Sequence, residues 1–226
     1  KCLGGLCPRL DLFDSNMTLV GTPTLFIDGE WCASSDGGRR PTYNPYDASV
    51  IMHVDEATSN DARRAIAAAK AFFSSSDWSR RSYQDRCELL NRMADSLQKN
   101  KAELARIETI DTGKTLGESE IDIDDVTNVF RFYAKEALKL AEDKRVTGPL
   151  VPESVKSLVV HEPVGVCVLI TPWNYPILQL CWKLAPALAT GNVVIVKPSE
   201  VTPLSTIYLV HMMLEVGFPS GSIQLL

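Results

Sequence analysis

The chain has 226 residues, 45% of them hydrophobic and 23% charged, an ordinary balance for a globular protein and enough for one large or two modest domains. Its formal net charge of −5 argues against a nucleic-acid surface, which needs a basic stripe, and no apolar run approaches the roughly 20 residues of a membrane helix. The six cysteines, Cys2, Cys7, Cys32, Cys87, Cys167 and Cys181, fit no zinc spacing, and the expectation is a soluble cytoplasmic protein with reduced thiols.

Residues 1–23 read as a leader or disordered segment: they hold no apolar core of a secretion signal, and Met17 is a candidate start. "TLFIDGEW" alternates apolar and polar residues around Asp28-Gly29, which predicts a hairpin. In "RRPTYNPYDASVIMHV" Asn44-Pro45 predicts a turn and residues 50–54 a further strand. Helices follow. Ala62, Ile66, Ala69 and Phe73 recur at helical spacing. Ser82 with Asp85 resembles a capping box opening a helix with Tyr83, Cys87, Leu90, Ala94 and Leu97 on its apolar face. "KAELARIETIDTGK" continues helical to Gly113, and a long helix carries Val126, Phe130, Tyr133, Ala137 and Leu140. Beyond Gly148-Pro149, "LVPESVKSLVVHEP" reads as two strand-like pieces around a polar tip. The rest alternates strand and helix: "GVCVLI", a helix from about Pro176 to Thr190, "NVVIVK", "TPLSTIYLVHMMLEVG" and "SIQLL". That β-α-β-α-β order predicts half of a doubly wound nucleotide-binding sheet. The organisation is therefore 1–23 leader, 24–143 mostly helical, 144–163 a hairpin, and 164–226 the parallel unit.

Ligands of open α/β sheets bind at the carboxyl ends of the strands, where "TPWN" and "KPSE" lie. Lys197 can donate to hydroxyl or phosphate oxygens, and Glu200 can accept from a ribose diol while repelling a 2′-phosphate; a solvated strand-end pair is the alternative. No G-x-G-x-x-G fingerprint is present. Asn174 offers an amide donor to a developing oxyanion, or caps the helix that Pro176 begins. Tyr175 and Trp182 are seven residues apart, so both can face one cleft and hold a quaternary ammonium, or both can be core. Lys183 either reaches the surface or tunes a site if buried.

"ITPWNYP", "WKLAPALATGNVVIVKPSEVTPLS" and "DTGKTLGES" together resemble the aldehyde dehydrogenase superfamily, over a stretch from about Thr24 to the last residue. In detail the run "TPWNYPILQLCWKLAPALATGN" is similar to betaine aldehyde dehydrogenases and related aminoaldehyde enzymes. The resemblance implies an α/β fold, with N-terminal helices, an incomplete Rossmann-type parallel sheet and an oligomerisation hairpin. It also implies NAD-dependent oxidation of an aldehyde, betaine aldehyde to glycine betaine, through a cysteine thiohemiacetal and thioester. Asn174 matches the oxyanion amide and Lys183 a charge-relay lysine. Thr171, Pro172 and Trp173 match the nicotinamide side of the cofactor cleft, and Lys197, Pro198, Ser199 and Glu200 the adenosine ribose. Tyr175 and Trp182 match an aromatic cage for the trimethylammonium head, and Thr42, Tyr43, Asp111 and Val201 a potassium site. Residues 144–163 match the arm through which full-length members form homodimers or homotetramers.

The sequence departs from the pattern at one decisive place. None of the six cysteines lies in the family's nucleophile motif, and the general-base motif and the second Gly-rich turn are absent. The expectation is the first part of such an enzyme, inactive as it stands. The competing readings are a non-catalytic NAD-binding or interaction fragment and a broad-substrate aldehyde dehydrogenase.

Overall fold

The computed structural model describes residues 23–141, 144–146, 154–155 and 157–226, so all but the last residue of the predicted leader lies outside the described residues. The described chain opens with the hairpin β1 (Leu25–Ile27) and β2 (Glu30–Cys32). Asp28 and Gly29 take φ of 55° and 82°, the turn conformation an Asp-Gly pair favours. A second hairpin, β3 (Arg39–Tyr43) and β4 (Val50–Asp55), forms its own small sheet. Thr24 joins the two hairpins: its backbone N–H donates to Asp55 Oδ2 at 2.9 Å, and its hydroxyl oxygen accepts the Asp55 N–H at 2.6 Å.

The helix α1 (Ser59–Ser75) is entered through a capping box of Thr58 and Asp61. Its buried stripe is Asp61, Ala65 and Ala69, rotated from the predicted one, and Ile66 is left 41% exposed. Asp61 accepts from the N–H groups of Thr58 and Ser35, at 2.9 and 3.1 Å, which turns the small alanines toward the sheet. In α2 (Tyr83–Lys99) the Ser82 hydroxyl accepts the Asp85 N–H at 3.1 Å, but the return bond of a full capping box is not formed among the described residues. Cys87, Leu90, Ala94 and Leu97 are buried as their spacing predicts. The next helix, α3 (Lys101–Thr112), stops at Gly113, whose φ of 78° is left-handed and whose α-carbon faces Pro45 too closely for a side chain. A true capping box, Thr115 with Glu118, opens α4 (Leu116–Glu136), which buries Val126 and Phe130. Ala137 and Leu140 fall in the single 3₁₀ turn that follows.

The strands β5 (Lys144–Val146) and β6 (Ser157–Val159) pair antiparallel. The first of them lies before the stretch that the pattern marked, and the polar tip of the predicted 144–163 hairpin lies largely outside the described residues. Then come β7 (Val166–Ile170), α5 (Pro176–Ala189), β8 (Val193–Lys197), α6 (Leu204–Glu215) and β9 (Ile223–Leu225). The main sheet runs β2-β1-β9-β8-β7, parallel from β9 to β7. The described residues among 24–143 hold two hairpins followed by four α-helices and a 3₁₀ turn. Their first hairpin completes the sheet, because β1 pairs antiparallel with β9 through Phe26 and Leu225 and covers an edge that the parallel unit would otherwise leave open. The terminal strands of this sheet among the described residues are β2 and β7, and on β7 Val168 and Ile170 are 56% and 61% exposed. All of β8 except Lys197 is buried, and α1 and α5 pack against it. A further layer of α2, α3 and α4 packs on the outside of α5 and α6.

Asn192 locks the turn between α5 and β8. Its Oδ1 accepts the Gly165 N–H at 2.9 Å, its Nδ2 donates to the Ala187 carbonyl at 3.1 Å, and its own carbonyl accepts the Trp78 indole N–H at 2.9 Å. Substitution Asn192→Ala leaves the buried Gly165 N–H without an acceptor and is expected to destabilise the fold by about 2 kcal/mol in a urea unfolding experiment. An unchanged midpoint would show that the lock carries no stability.

Candidate functional site

The carboxyl ends of β7 and β8 are stapled together. Ile170 sits opposite Lys197 in the ladder, the Thr171 N–H donates to the Lys197 carbonyl at 3.2 Å, and the Thr202 hydroxyl donates to the Trp173 carbonyl at 3.0 Å. The loops that carry "TPWNYP" and "KPSE" are therefore joined directly.

Lys197, Pro198, Ser199 and Glu200 line a cleft of about 380 Å³, with Arg40 and Glu56 on its far wall. Lys197 Nζ lies 3.7 Å from Glu200 Oε2. The Glu200 carboxyl is held below the usual range, first by its own backbone N–H and then by the charges of Lys197 and Arg40. It is an ionised acceptor at a strand end, the chemistry a ribose diol needs. Thr171, Pro172 and Trp173 do not line this cleft: Thr171 is buried and Trp173 is 61% exposed on the adjoining loop.

The first helical residue of α5 is Pro176, so the N-cap is Tyr175, with φ −139° and ψ 64° and no side-chain cap bond. Asn174 is thus not the cap. Its side chain is exposed and makes no hydrogen bond among the described residues, which leaves the amide available to an oxygen of a ligand. Lys183 is exposed and its Nζ donates to the carbonyl of Ile170, the last residue of β7. Tyr175 and Trp182 are 45% and 53% exposed, so neither is core. Lys114 Nζ sits 4.5 Å from the centroid of the Tyr175 ring, and Trp182 borders a shallow pocket of about 410 Å³ with Asp125, Asn128, Val129, Phe132 and Tyr133 of α4. Both aromatics open toward the α4 side of the molecule.

Two carboxylates of α3, Asp111 and Glu108, have no joint signature in a sequence motif. Asp111 Oδ2 accepts the Leu204 N–H at 2.9 Å and caps α6, while its buried Oδ1 has no hydrogen-bond partner among the described residues. Glu108, fully buried, faces the Ser205 hydroxyl and the Ile177 N–H at the head of α5, and Lys114 Nζ lies 3.5 Å away. Neither of its oxygens reaches full hydrogen-bond geometry. Burial lifts the Glu108 carboxyl, against the pull of Ser205 and Lys114. Burial likewise lifts Asp111 well above the ordinary range, opposed by the Leu204 N–H and reinforced by Glu108. The signal for this pair was present in the sequence: with Leu104, the residues stand at i, i+4 and i+7 on the buried stripe of α3.

Of the four residues matched to a cation site, Thr42 and Asp111 are buried, whereas Tyr43 and Val201 are 52% and 55% exposed. The contact of Gly113 with Pro45 and the bond of Asp111 to Leu204 bring the end of β3, the end of α3 and the approach to α6 into one neighbourhood. Burial raises the thiols of Cys32, Cys87, Cys167 and Cys181, so none of these is poised as a thiolate.

A profile of the Aldehyde dehydrogenase family matches residues 31–226. The chain belongs to the aldehyde dehydrogenase family. Betaine aldehyde dehydrogenase of Bacillus subtilis is 45% identical over 198 residues, covering 88% of this chain and 40% of that protein. Retinaldehyde dehydrogenase 3 of Mus musculus is 40% identical over 205 residues, covering 89% of this chain and 39% of that protein. Among solved structures, betaine aldehyde dehydrogenase of Staphylococcus aureus in complex with NAD⁺ superposes with a TM-score of 0.87 at 44% identity, over 95% of this chain and 43% of that one. The chain thus spans about 40% of the length of the curated relatives it matches. The fold is the α/β fold of these dehydrogenases.

Because burial raises the Glu108 carboxyl, the folded chain binds that proton more tightly than the unfolded one. The associated stability is complete below the unfolded pKa, near about pH 4, and is lost as the pH climbs through the raised value. Glu108→Gln is neutral at every pH and is expected to raise the melting midpoint at pH 7 relative to the parent, with the difference shrinking toward pH 4. A constant difference across that range would show that Glu108 does not titrate anomalously.

Proposed function

We propose that the chain supplies the cofactor wall and the oxyanion amide for NAD-dependent oxidation of betaine aldehyde to glycine betaine. The observation that carries this reading is the Asn174 amide, exposed and without a hydrogen bond among the described residues, on a loop bonded to the segment that follows Lys197–Glu200. The Lys197–Glu200 cleft and the Trp182 pocket share no lining residue. Asn174 lies between Trp173, which is bonded to the Thr202 loop, and Tyr175, which faces Lys114.

Glu200 and Lys197 would hold the adenosine ribose of NAD, with Pro198 and Ser199 beneath it, and Thr171, Pro172 and Trp173 would approach the nicotinamide side. The bound cofactor supplies the hydride acceptor. Asn174 donates its amide N–H to the aldehyde oxygen as negative charge gathers there. Lys183, tethered to the Ile170 carbonyl, is placed to relay charge at the same strand end. Tyr175 and Trp182 offer ring faces to the trimethylammonium head, and Asp125 adds an opposite charge beside Trp182. No described cysteine is an activated nucleophile, so we hold that these residues alone do not oxidise an aldehyde. Similarity to the S. aureus structure, solved with NAD⁺, supports the cofactor, and similarity to the B. subtilis enzyme supports the substrate. The paired strands β5 and β6 are the proposed arm of a homodimer or homotetramer, in the cytoplasm. The unpartnered, buried Asp111 Oδ1 fits a monovalent cation, potassium, completed by Thr42, Tyr43 and Val201.

Isothermal titration of the chain is expected to give tighter binding of NAD⁺ than of NADP⁺ by about tenfold, because Glu200 repels a 2′-phosphate, and Glu200→Gln should narrow the gap. Equal affinities in the parent would overturn the cofactor assignment. Melting in potassium chloride is expected to exceed melting in N-methylglucamine chloride for the parent but not for Asp111→Asn; a shift that survives the substitution would remove Asp111 from the cation site.

A further inference from the structure

Lys114 belongs to none of the roles above, yet its ammonium lies over the ring of Tyr175. Its side chain is 12% exposed. Nζ lies 2.6 Å from Asp122 Oδ2, 3.5 Å from Glu108 Oε1 and 4.5 Å from the Tyr175 ring centroid. Its backbone is pinned on both sides, by the left-handed Gly113 packed on Pro45 and by Thr115, the N-cap of α4. The ammonium is therefore aimed by two helix ends at once.

Tyr175 has few other means of staying in place. As the N-cap of α5 it makes no side-chain cap bond, and its ring is 45% exposed. The Lys114 ammonium lies over one face of that ring. Asp122 and Glu108 flank the ammonium, so its charge is largely answered within the cluster and does not act through the ring as a bare cation.

We propose that Lys114 is a positioning residue that sets preference for a cationic aldehyde head, by clamping Tyr175 from one face and presenting the other to the substrate. This rests on the reading of Tyr175 as a cage member. It predicts that loss of the clamp weakens a cation and spares a neutral molecule of the same shape, because a loosely held ring keeps its apolar contact more readily than its alignment.

The test is a nuclear magnetic resonance titration of the whole chain with tetramethylammonium chloride and, separately, tert-butanol. The parent is expected to prefer tetramethylammonium, and Tyr175→Ala to abolish the preference. Lys114→Met should reduce it about threefold with tert-butanol affinity unchanged, and Lys114→Arg should retain most of it. If Lys114→Met fails to melt cooperatively, Asp122→Asn, which keeps the ammonium but removes the charge of its 2.6 Å partner, is expected to shift the preference in the same direction. A preference lost in Tyr175→Ala but untouched in Lys114→Met, or in Asp122→Asn where that replaces it, overturns the positioning role. Equal losses for both probes overturn it as well, since they mark a general structural effect. No preference in the parent, or one that survives Tyr175→Ala, overturns the cage itself.

Discussion

The heads of α5 and α6 are both met by carboxylates from a third helix, and the site follows from that constraint. A helix N-terminus presents unsatisfied N–H groups and a partial positive charge, and each of these two is buried. Asp111 answers α6 through Leu204, and Glu108 answers α5 at a slightly longer reach, one helical turn earlier on α3. Because the two acids share one rigid helix, the loops that enter α5 and α6 keep a fixed separation. The bonds of Thr171 to Lys197 and of Thr202 to Trp173 then join those loops directly. Removing bulk water from two carboxylates is unfavourable, as their raised proton affinities show, and such an expense is characteristic of functional regions.

The sheet divides the chemistry. Its carboxyl edge carries an ionised glutamate and a lysine facing a cleft, while the far side of α5 carries half-exposed aromatic rings beside an aspartate. The first set suits hydroxyl groups and the second suits a soft cation, and the exposed Asn174 amide lies on the loop that leads from β7 into α5. The exposed Val168 and Ile170 of β7 continue this surface as an apolar edge.

Much of the fold was legible because its signals are local. The Asp-Gly turn, the stop at Gly113, the Cys87–Leu97 stripe of α2 and the βαβαβ alternation each depend on a few neighbouring residues. The errors share a different cause. The phase of α1 was missed because Asp61 is drawn inward by Ser35, 26 residues earlier in the chain, and local hydrophobic spacing cannot register that bond. The pairing of β1 with β9 joins residues some 200 positions apart, and neither strand's pattern names its partner. At the site, the reading of Asn174 as a helix cap lost because Pro176 makes Tyr175 the cap, a difference of one residue that only backbone angles decide.

The sequence by itself determined the family, the order of the elements and which strand ends would carry polar groups, because motif spacing and hydrophobic period survive without any distant contact. Tertiary structure alone decided which of those groups meet. Lys114 lies 61 residues before Tyr175 in the chain and comes to its ring only because α3 turns sharply at Gly113 and packs across α6. Glu108 and Asp111 read as ordinary helix acids until two buried helix heads are brought to them. In each case the deciding quantity is a dehydrated charge facing a partner from another element, and dehydration is a property of the packed molecule, not of the chain.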